Sequence, residues 1–303
     1  MQHIFDMIVI GGGPAGYTSA LYASRAGFDT LVLERMAPGG QMALTDTIDN
    51  YPGFENGVDG FDLGVKMQSQ AERFGAKTEF ADVTDVDFTE KIKKISTTAG
   101  EFFAKTIVVA TGANPRELGI ENEKEYAGKG VHYCAHCDGR FYKDKTVAVV
   151  GGGNTAIQDV LYLSRIAKKV YVIHRRDSFR ATKIYVEQLK KAENIEILYN
   201  STVESIIAEE RVSGITVKNS DAGEKKKLEC DALFVSIGRI PATEFLKGKI
   251  NLDESGYIIA DETTKTSENG VFAVGDVRTK ELRQVVTAVA DGAVAVHFAE
   301  KEI

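Results

Sequence analysis

The sequence predicts an α/β protein built from two Rossmann-like, three-layer ββα domains, the second inserted in the first. Three observations predict it: a glycine-rich strand–turn–helix pattern that occurs twice, an alternating β segment after each copy, and a C-terminal stretch too short to fold alone. At 303 residues the chain is long enough for two domains. In the first copy the β-branched run Asp6-Met7-Ile8-Val9-Ile10 ends at Gly11-Gly12-Gly13, residues 15–26 carry a helical pattern, and Thr30-Leu31-Val32-Leu33 reads as a second buried strand. Residues 79–103 alternate apolar and polar with turns between, as an antiparallel meander does, and lead into Thr106-Ile107-Val108-Val109-Ala110-Thr111-Gly112. The second copy repeats the order: Thr146-Val147-Ala148-Val149-Val150, then Gly151-Gly152-Gly153, a helix over 155–167, and the strand Val170-Tyr171-Val172-Ile173. A meander over 196–228 and the run Ala232-Leu233-Phe234-Val235-Ser236-Ile237-Gly238 follow. Residues 244–303 hold one more strand, Gly270-Val271-Phe272-Ala273-Val274-Gly275-Asp276, and a last helix over 285–300. That tail is expected to return to the first domain, giving 1–113 and 244–303 for one domain and 114–243 for the insertion. Two crossings, near 113–118 and 239–244, would permit a hinge.

Composition removes several classes of function. With 43% hydrophobic and 27% charged residues, disorder and collagen are excluded. The net charge of −7 offers no basic surplus for nucleic acid or an anionic membrane. No apolar run reaches bilayer length, and Met1-Gln2-His3-Ile4-Phe5-Asp6 lacks the charge pattern of a leader, so a cytoplasmic location is expected. Three cysteines, Cys134, Cys137 and Cys230, are too few for a disulfide scaffold.

Both glycine clusters sit between a strand and a helix, the context in which G-x-G-x-x-G marks a dinucleotide site. Gly11, Gly13 and Gly16 allow a tight turn and a close backbone approach, so that a pyrophosphate rests on the exposed N–H groups of the helix. Glu34, at the end of the next strand, has the position of the carboxylate that binds a ribose. The second copy reads Gly151-x-Gly153-x-x-Ala156, and at the matching position the strand ends in His174-Arg175-Arg176, with Arg180 nearby. Guanidinium groups bind a 2′-phosphate that a carboxylate would repel, so this site should prefer NADP(H). The economical pairing is FAD in the first site and NADPH in the second.

Cys134-Ala135-His136-Cys137 precedes the second nucleotide strand. Zinc would need further ligands at finger-like spacing, which Cys230 and the scattered histidines do not supply. A permanent structural disulfide is unexpected in a reducing compartment. Thiol–disulfide exchange fits better, one thiolate attacking and the other resolving. Asp138 could serve as an acid or base, or simply open the Asp138-Gly139 turn; the two are compatible. An imidazolium at His136 would stabilise the reduced pair, whereas a solvent-facing loop histidine would not. Cys230 reads as a small buried packing residue.

Together these motifs resemble the low-molecular-weight, bacterial-type thioredoxin reductases over essentially the whole chain. The resemblance rests on Gly11-Gly12-Gly13-Pro14-Ala15-Gly16, Gly39-Gly40-Gln41-Met42, Asn50-Tyr51-Pro52-Gly53, Ala110-Thr111-Gly112-Ala113, the Cys134-Ala135-His136-Cys137-Asp138 segment, the basic cluster and Gly275-Asp276. It implies an FAD domain carrying an inserted NADPH domain that rotates, and a homodimer. It further implies that Gly40 and Gln41 lie along the isoalloxazine, that Asn50 touches the flavin, that Asp276 holds the ribityl chain, and that Arg283, Gln284 and Val285 cover the ring. Cys137 would face the flavin, Cys134 would attack the partner protein, and Asp138 would be the acid. The implied cofactor-lining set is completed by Pro14, Ala15, Arg35, Val83, Ala110, Thr111, Gly112, Asn154, Thr155, Ile237, Gly238 and Gly275. The expected activity is a relay in which NADPH reduces FAD, which reduces the Cys134–Cys137 disulfide, which reduces thioredoxin or a thioredoxin-like protein.

Three departures stand out. His136 replaces a threonine or other small residue, Arg140-Phe141-Tyr142 shifts an aromatic pair by one position, and Asn154-Thr155 replaces an acidic residue and serine. Alternatives on the same fold are a flavin-dependent ferredoxin–NADP reductase, which needs no cysteine pair, and a ferredoxin-driven thioredoxin reductase, whose loss of the basic cluster this chain does not share. A peroxidase-system reductase would carry an extra N-terminal module. The glutathione-reductase type would place its cysteines just after the first glycine turn. A non-catalytic flavin-binding redox sensor is the rival from another class.

Overall fold

The computed structural model describes residues 3–45 and 47–303. Met1 and Gln2, the first residues of the segment tested for a leader, lie outside the described residues. In chain order, β1 (Ile4–Ile10), α1 (Pro14–Arg25) and β2 (Thr30–Glu34) are followed by α2 (Gly60–Glu72), β3 (Lys77–Phe80), β4 (Val83–Asp87), β5 (Lys93–Thr97) and β6 (Gly100–Val109). Then come β7 (Ala113–Pro115), β8 (Val131–His132), the single-turn α3 (Ala135–Asp138), β9 (Thr146–Val150), α4 (Asn154–Leu163), β10 (Lys169–Ile173) and α5 (Lys183–Lys191). The insertion ends with β11 (Ile195–Leu198), β12 (Ser201–Ala208), β13 (Val212–Asn219), β14 (Lys225–Glu229), β15 (Ala232–Val235) and β16 (Arg239–Pro241). The tail supplies β17 (Val271–Ala273) and α6 (Val285–Ala299).

The chain forms two compact units, one of residues 1–114 with 240–303 and one of Pro115–Arg239. The second crossing thus falls earlier than the boundary expected at residue 243. Residues 240–243 belong with the first unit because the Ala242 amide donates to Gly112 O at 3.0 Å and Thr243 Oγ1 donates to Gly256 O at 2.7 Å. The crossing strands β7 and β16 pair as a two-stranded ribbon.

In the first unit, β1 lies between β2 and β6, parallel to both. One face of this sheet is covered by α1 and α6 and the other by β4, β5 and the tail, so its central strands read as continuous apolar runs, as Met7 to Ile10 do. Strand β6 has two jobs. Its first half pairs antiparallel with β5, and its second half runs parallel to β1 and β17. The meander's last strand and the run toward Gly112, expected separately, are therefore one strand. Glu79 belongs to β3, which extends the parallel sheet beyond β2, so the antiparallel part starts at Val83. An exposed edge strand and a meander strand alternate alike, which is why the pattern merged them. Helices α1 and α6 touch closely: a Cβ on Gly292 would stand 2.4 Å from Ala15 O, and Ser19 Oγ donates to Gly292 O at 3.2 Å.

The second unit repeats the design with sheet order β11-β10-β9-β15-β8 and a separate antiparallel sheet, β12-β13-β14. Glu196 again falls in a parallel edge strand, β11, rather than in the meander. Helix α4 stops at Leu163 instead of running to Ala167. Ser164 Oγ donates back to Leu161 O, and the amides of Ile166 and Ala167 both converge on Leu163 O, which tightens the end.

Candidate active site

The first dinucleotide turn is built around close backbone approach. A Cβ on Gly16 would stand 1.9 Å from Gly11 O, and one on Gly11, whose φ is +108°, would stand 2.5 Å from Ala110 O. Neither position tolerates a side chain. Gly13 has open space on its Cβ side, and α1 begins at Pro14 with no capping side chain and no acid in its first turn. Its free N–H groups and positive dipole end suit a pyrophosphate. Glu34 is held in place by two backbone donors, Gly12 N–H to Oε2 at 2.6 Å and Met36 N–H to Oε1 at 2.9 Å. Arg35 beside it is exposed.

Around this turn the first unit gathers several of the candidate residues. The Gly39 amide donates to Gly12 O at 2.8 Å, and a Cβ on Gly40 would stand 3.4 Å from Gly13 Cα, so the 3-10 turn Gly40–Leu44 carries Gln41 beside the loop. Gln41 Nε2 donates to Asn114 Oδ1 at 2.9 Å. Ala110, Thr111 and Gly112 leave β6 under Gly11, and the Thr111 hydroxyl is committed to Ala242 O at 2.8 Å. Gly275 (φ +72°) approaches Ala15, placing Asp276 at the helix mouth. A second group forms where Asn50 Nδ2 donates to Gln284 Oε1 at 2.9 Å, just before Val285 opens α6. Arg283 joins it to the turn by donating to Asp276 O and stacking on Tyr257 at 4.2 Å. Val83 stands apart, packed on the sheet's core at the start of β4.

Sequence reasoning missed the group that sets the Gly275-Asp276 turn. Asp291 of α6 accepts from the Gly275 amide, from Arg278 Nε and Nη2 bidentately, each at 2.9 Å, and from Lys280 Nζ at 2.7 Å. Burial alone would raise the Asp291 carboxyl, but these donors hold it below its ordinary value. Arg278 is 2% exposed. A fully buried arginine requires such a partner, yet the positions are far apart in the chain and have no shared period.

The second turn has the same logic. A Cβ on Gly151 would stand 2.4 Å from Ser236 O, Gly153 is open, and α4 starts uncapped at Asn154 with no acid in its first turn. Asn154 Oδ1 accepts from the Thr182 amide at 2.8 Å, while Thr155 is exposed. Arg175, Arg176 and Arg180 are all exposed in the segment after β10, and among the described residues none forms an ion pair. His174 differs from them. Its ring is buried beneath Gly152, meets Ser178 O at 2.9 Å and packs on Phe179. Burial pushes its imidazolium below the usual range, so it shapes the loop as a neutral ring rather than adding a fourth cation. Ile237 and Gly238 follow β15, and Gly238 O accepts from the Arg116 amide. Asp159 of α4, another residue not anticipated, is buried against Ser236 Oγ at 2.6 Å, and burial raises its carboxyl.

In the same unit Cys134 and Cys137 are joined as a disulfide, with Cα atoms 5.3 Å apart. Cys134 caps α3: its Sγ accepts from the Cys137 amide at 3.2 Å and its carbonyl from the Asp138 amide at 3.1 Å. His136 is exposed, with its ring 4.3 Å from that of Tyr162 on α4. Asp138 is not a simple turn residue. Its Oδ2 lies 3.1 Å from Nδ1 of buried His132, whose Nε2 lies 2.7 Å from the Tyr142 hydroxyl. The preceding Tyr133 hydroxyl donates to Glu123, which also accepts the Leu118 and Gly119 amides and is 2% exposed. Strand β8 is thus fixed on both sides just ahead of Cys134. Cys230 is buried and unpaired. Among the described residues no cluster suits a metal ion, and no helix is long and apolar enough to cross a membrane.

Comparison with known proteins agrees with this arrangement. Residues 5–292 match the family Pyridine nucleotide-disulphide oxidoreductase. Thioredoxin reductase from Peptoclostridium litorale is 44% identical over all of this chain and 98% of its own length, and that from Bacillus subtilis is 40% identical over 99% and 96%. The crystal structure of thioredoxin reductase from Streptococcus pyogenes superposes with a TM-score of 0.94 at 38% identity, covering 100% of this chain and 99% of that one. With paired glycine turns, a redox disulfide and full-length similarity of this depth, the chain belongs to the pyridine nucleotide-disulphide oxidoreductases and, within them, to the low-molecular-weight thioredoxin reductases.

Proposed function

We propose that the protein is an NADPH-dependent thioredoxin-disulfide reductase, working as a cytoplasmic homodimer. The observation that carries this is the Cys134–Cys137 disulfide, housed in the same unit as a dinucleotide turn flanked by three exposed guanidinium groups. A ferredoxin–NADP reductase would have no use for the pair, and a ferredoxin-driven enzyme none for the arginines.

Both turns suit their cofactors: open glycine faces and uncapped helix starts for two pyrophosphates, Glu34 for the FAD ribose, and Arg175, Arg176 and Arg180 for a 2′-phosphate. Bound FAD supplies the conversion of hydride equivalents from NADPH into electrons delivered to sulfur. The chain's own residues do the rest. Gly40, Gln41, Asn50 and Gln284 orient the flavin, and Asp291 fixes the turn bearing Asp276. Cys134 forms the mixed disulfide with the partner and Cys137 resolves it. Asp138 supplies the proton that a departing thiolate takes up. Homodimerisation is supported by family membership and by α2, which leaves Phe61 and Val65 exposed one turn apart.

The test is to purify the holoenzyme and assay it with NADPH and NADH against the host's thioredoxins, alongside Cys134→Ser. Anaerobic NADPH should bleach the flavin and release two titratable thiols in the wild type. The variant should lose thioredoxin reduction. Retained electron transfer to a protein acceptor in Cys134→Ser would instead identify a ferredoxin-type enzyme, and oxidised flavin persisting under excess NADPH would overturn the relay.

A further inference from the structure

Asp138 does not act alone in this fold. Its Oδ2 is occupied by His132, 7% exposed on β8, and His132 is occupied in turn by Tyr142, 3% exposed. The imidazole is clamped as well as bonded, stacked on Phe234 at 5.2 Å while Tyr142 meets Phe234 edge-on at 5.7 Å. A histidine between a carboxylate and a phenol has two neutral tautomers, and the neighbours choose between them. Arg211 lies near the Tyr142 oxygen, and a guanidinium only donates, so it makes no claim on the Tyr142 proton, which is free to point at His132. The phenol then donates to Nε2, and Nδ1 carries the hydrogen given to Asp138. The other charges facing this group are Asp231, which acts on Tyr142 through space, and Lys145, 5.6 Å over its ring.

We propose that His132 is a positioning residue for Asp138: an imidazole oriented by Tyr142 so that its Nδ1 hydrogen engages Oδ2 and leaves Oδ1 to exchange the proton with sulfur. The role presupposes the disulfide-reductase activity proposed above. Each disulfide reduced consumes one hydride from NADPH and one solvent proton, and yields NADP⁺ and two thiols. Asp138 takes that proton on Oδ1, hands it to the thiolate that leaves as the S–S bond breaks, and returns to a carboxylate. Throughout, the hydrogen on His132 Nδ1 stays in place and holds the carboxyl plane. A free-rotating Asp138 would present the proton in the correct direction only part of the time.

Three substitutions of the holoenzyme separate this role from a structural one. Asn places its amide N–H where Nδ1 stands, whereas Gln imitates the Nε2 side and Leu neither. His132→Leu and His132→Gln are expected to lower kcat for thioredoxin reduction about tenfold or more, within the ~10²–10⁴-fold that a whole general acid supplies. They should also shift the pH profile of kcat, with the rate of flavin reduction by NADPH within about twofold of wild type. His132→Asn should recover most of the loss. In an Asp138→Asn background His132→Leu should cost nothing further, since the effect passes through Asp138. Independent of turnover, ¹⁵N spectra of histidine-labelled protein should show His132 protonated on Nδ1 at neutral pH, and Tyr142→Phe should mix the tautomers. Additive losses in the double variant, equal damage from Asn and Leu, or an Nε2-protonated ring would overturn the proposal. A wild type that reduces no disulfide would instead overturn the activity, and the tautomer measurement would still decide whether His132 donates to Asp138.

Discussion

Cys230 shares a unit with the redox pair yet meets a different environment. Burial, with Asp231 beside it, pushes its thiol up to about 12, so almost no thiolate exists near neutrality. Reduced native enzyme should therefore yield two fast thiols to an alkylating reagent at about pH 8 and a third only on denaturation, readable by mass spectrometry; rapid labelling of Cys230 in the folded protein would contradict this. The arginines beyond β10 make the complementary case of exposed groups whose value depends on the ligand. Without an ion pair among the described residues, Arg175, Arg176 and Arg180 have little folding role. Charge-assisted hydrogen bonds contribute roughly 1.5–3 kcal/mol each. Arg175→Ala with Arg180→Ala should raise KM for NADPH by about tenfold or more while leaving KM for NADH within about twofold and the melting temperature unchanged, measured by steady-state kinetics and thermal unfolding.

Elements bring these residues together, and α6 shows how. Its sequence is mostly apolar and small, and one face packs on α1 through Gly292 and Ala295. From the same helix Asp291 reaches the Gly275-Asp276 turn, binding Arg278 and Lys280 in a buried cluster. The folded Asp291 carboxyl titrates below its unfolded value of about 3.9. A lowered folded value contributes stability that is fully present above the unfolded one and is lost as pH falls through the folded one. Asp291→Asn leaves Arg278 buried without its counter-charge and should cost about 3–5 kcal/mol at neutral pH. The gap between variant and wild type should narrow as acid below about pH 4 protonates the wild-type carboxyl, and flavin should be released more readily from the variant. Denaturant titrations across pH, monitored with flavin fluorescence, check both expectations. A pH-independent gap would place the cost elsewhere. Helix α6 was legible as a helix, but Asp291 was not legible as the residue that fixes the turn: apolar periodicity reports the buried face, and one acid within it carries no period.

Across the whole molecule, the legible features were those that local chemistry dictates. Each glycine turn stands between a β-branched run and a helix because backbone must approach backbone there, so the α/β class and the duplicated design could be seen in the sequence. Pairing partners could not. That β6 serves two sheet directions, that Glu79 and Glu196 extend parallel edges, and that His132 meets Asp138 and Tyr142 all depend on which segments fold beside which. The crossings show what long-range pairing adds. In the inserted unit the Arg116 amide donates to Gly238 O at 2.9 Å, so that unit's two ends lie side by side; in the other, the Ala242 amide donates to Gly112 O, so its cut ends do too. Each unit also has its own buried clusters. Adjacent ends and separate cores are the conditions under which an insertion can be excised without opening either fold. Joining Ala113 to Ala242 through a short Gly/Ser linker should thus give a yellow, folded protein that NADPH fails to reduce. Residues 115–239 alone should bind NADP(H), remain colourless, and keep a disulfide that a chemical reductant opens. Absorbance spectra and nucleotide titration read both outcomes. An excised first unit that aggregates without flavin, while the inserted unit folds, would show that the flavin site depends on the insertion.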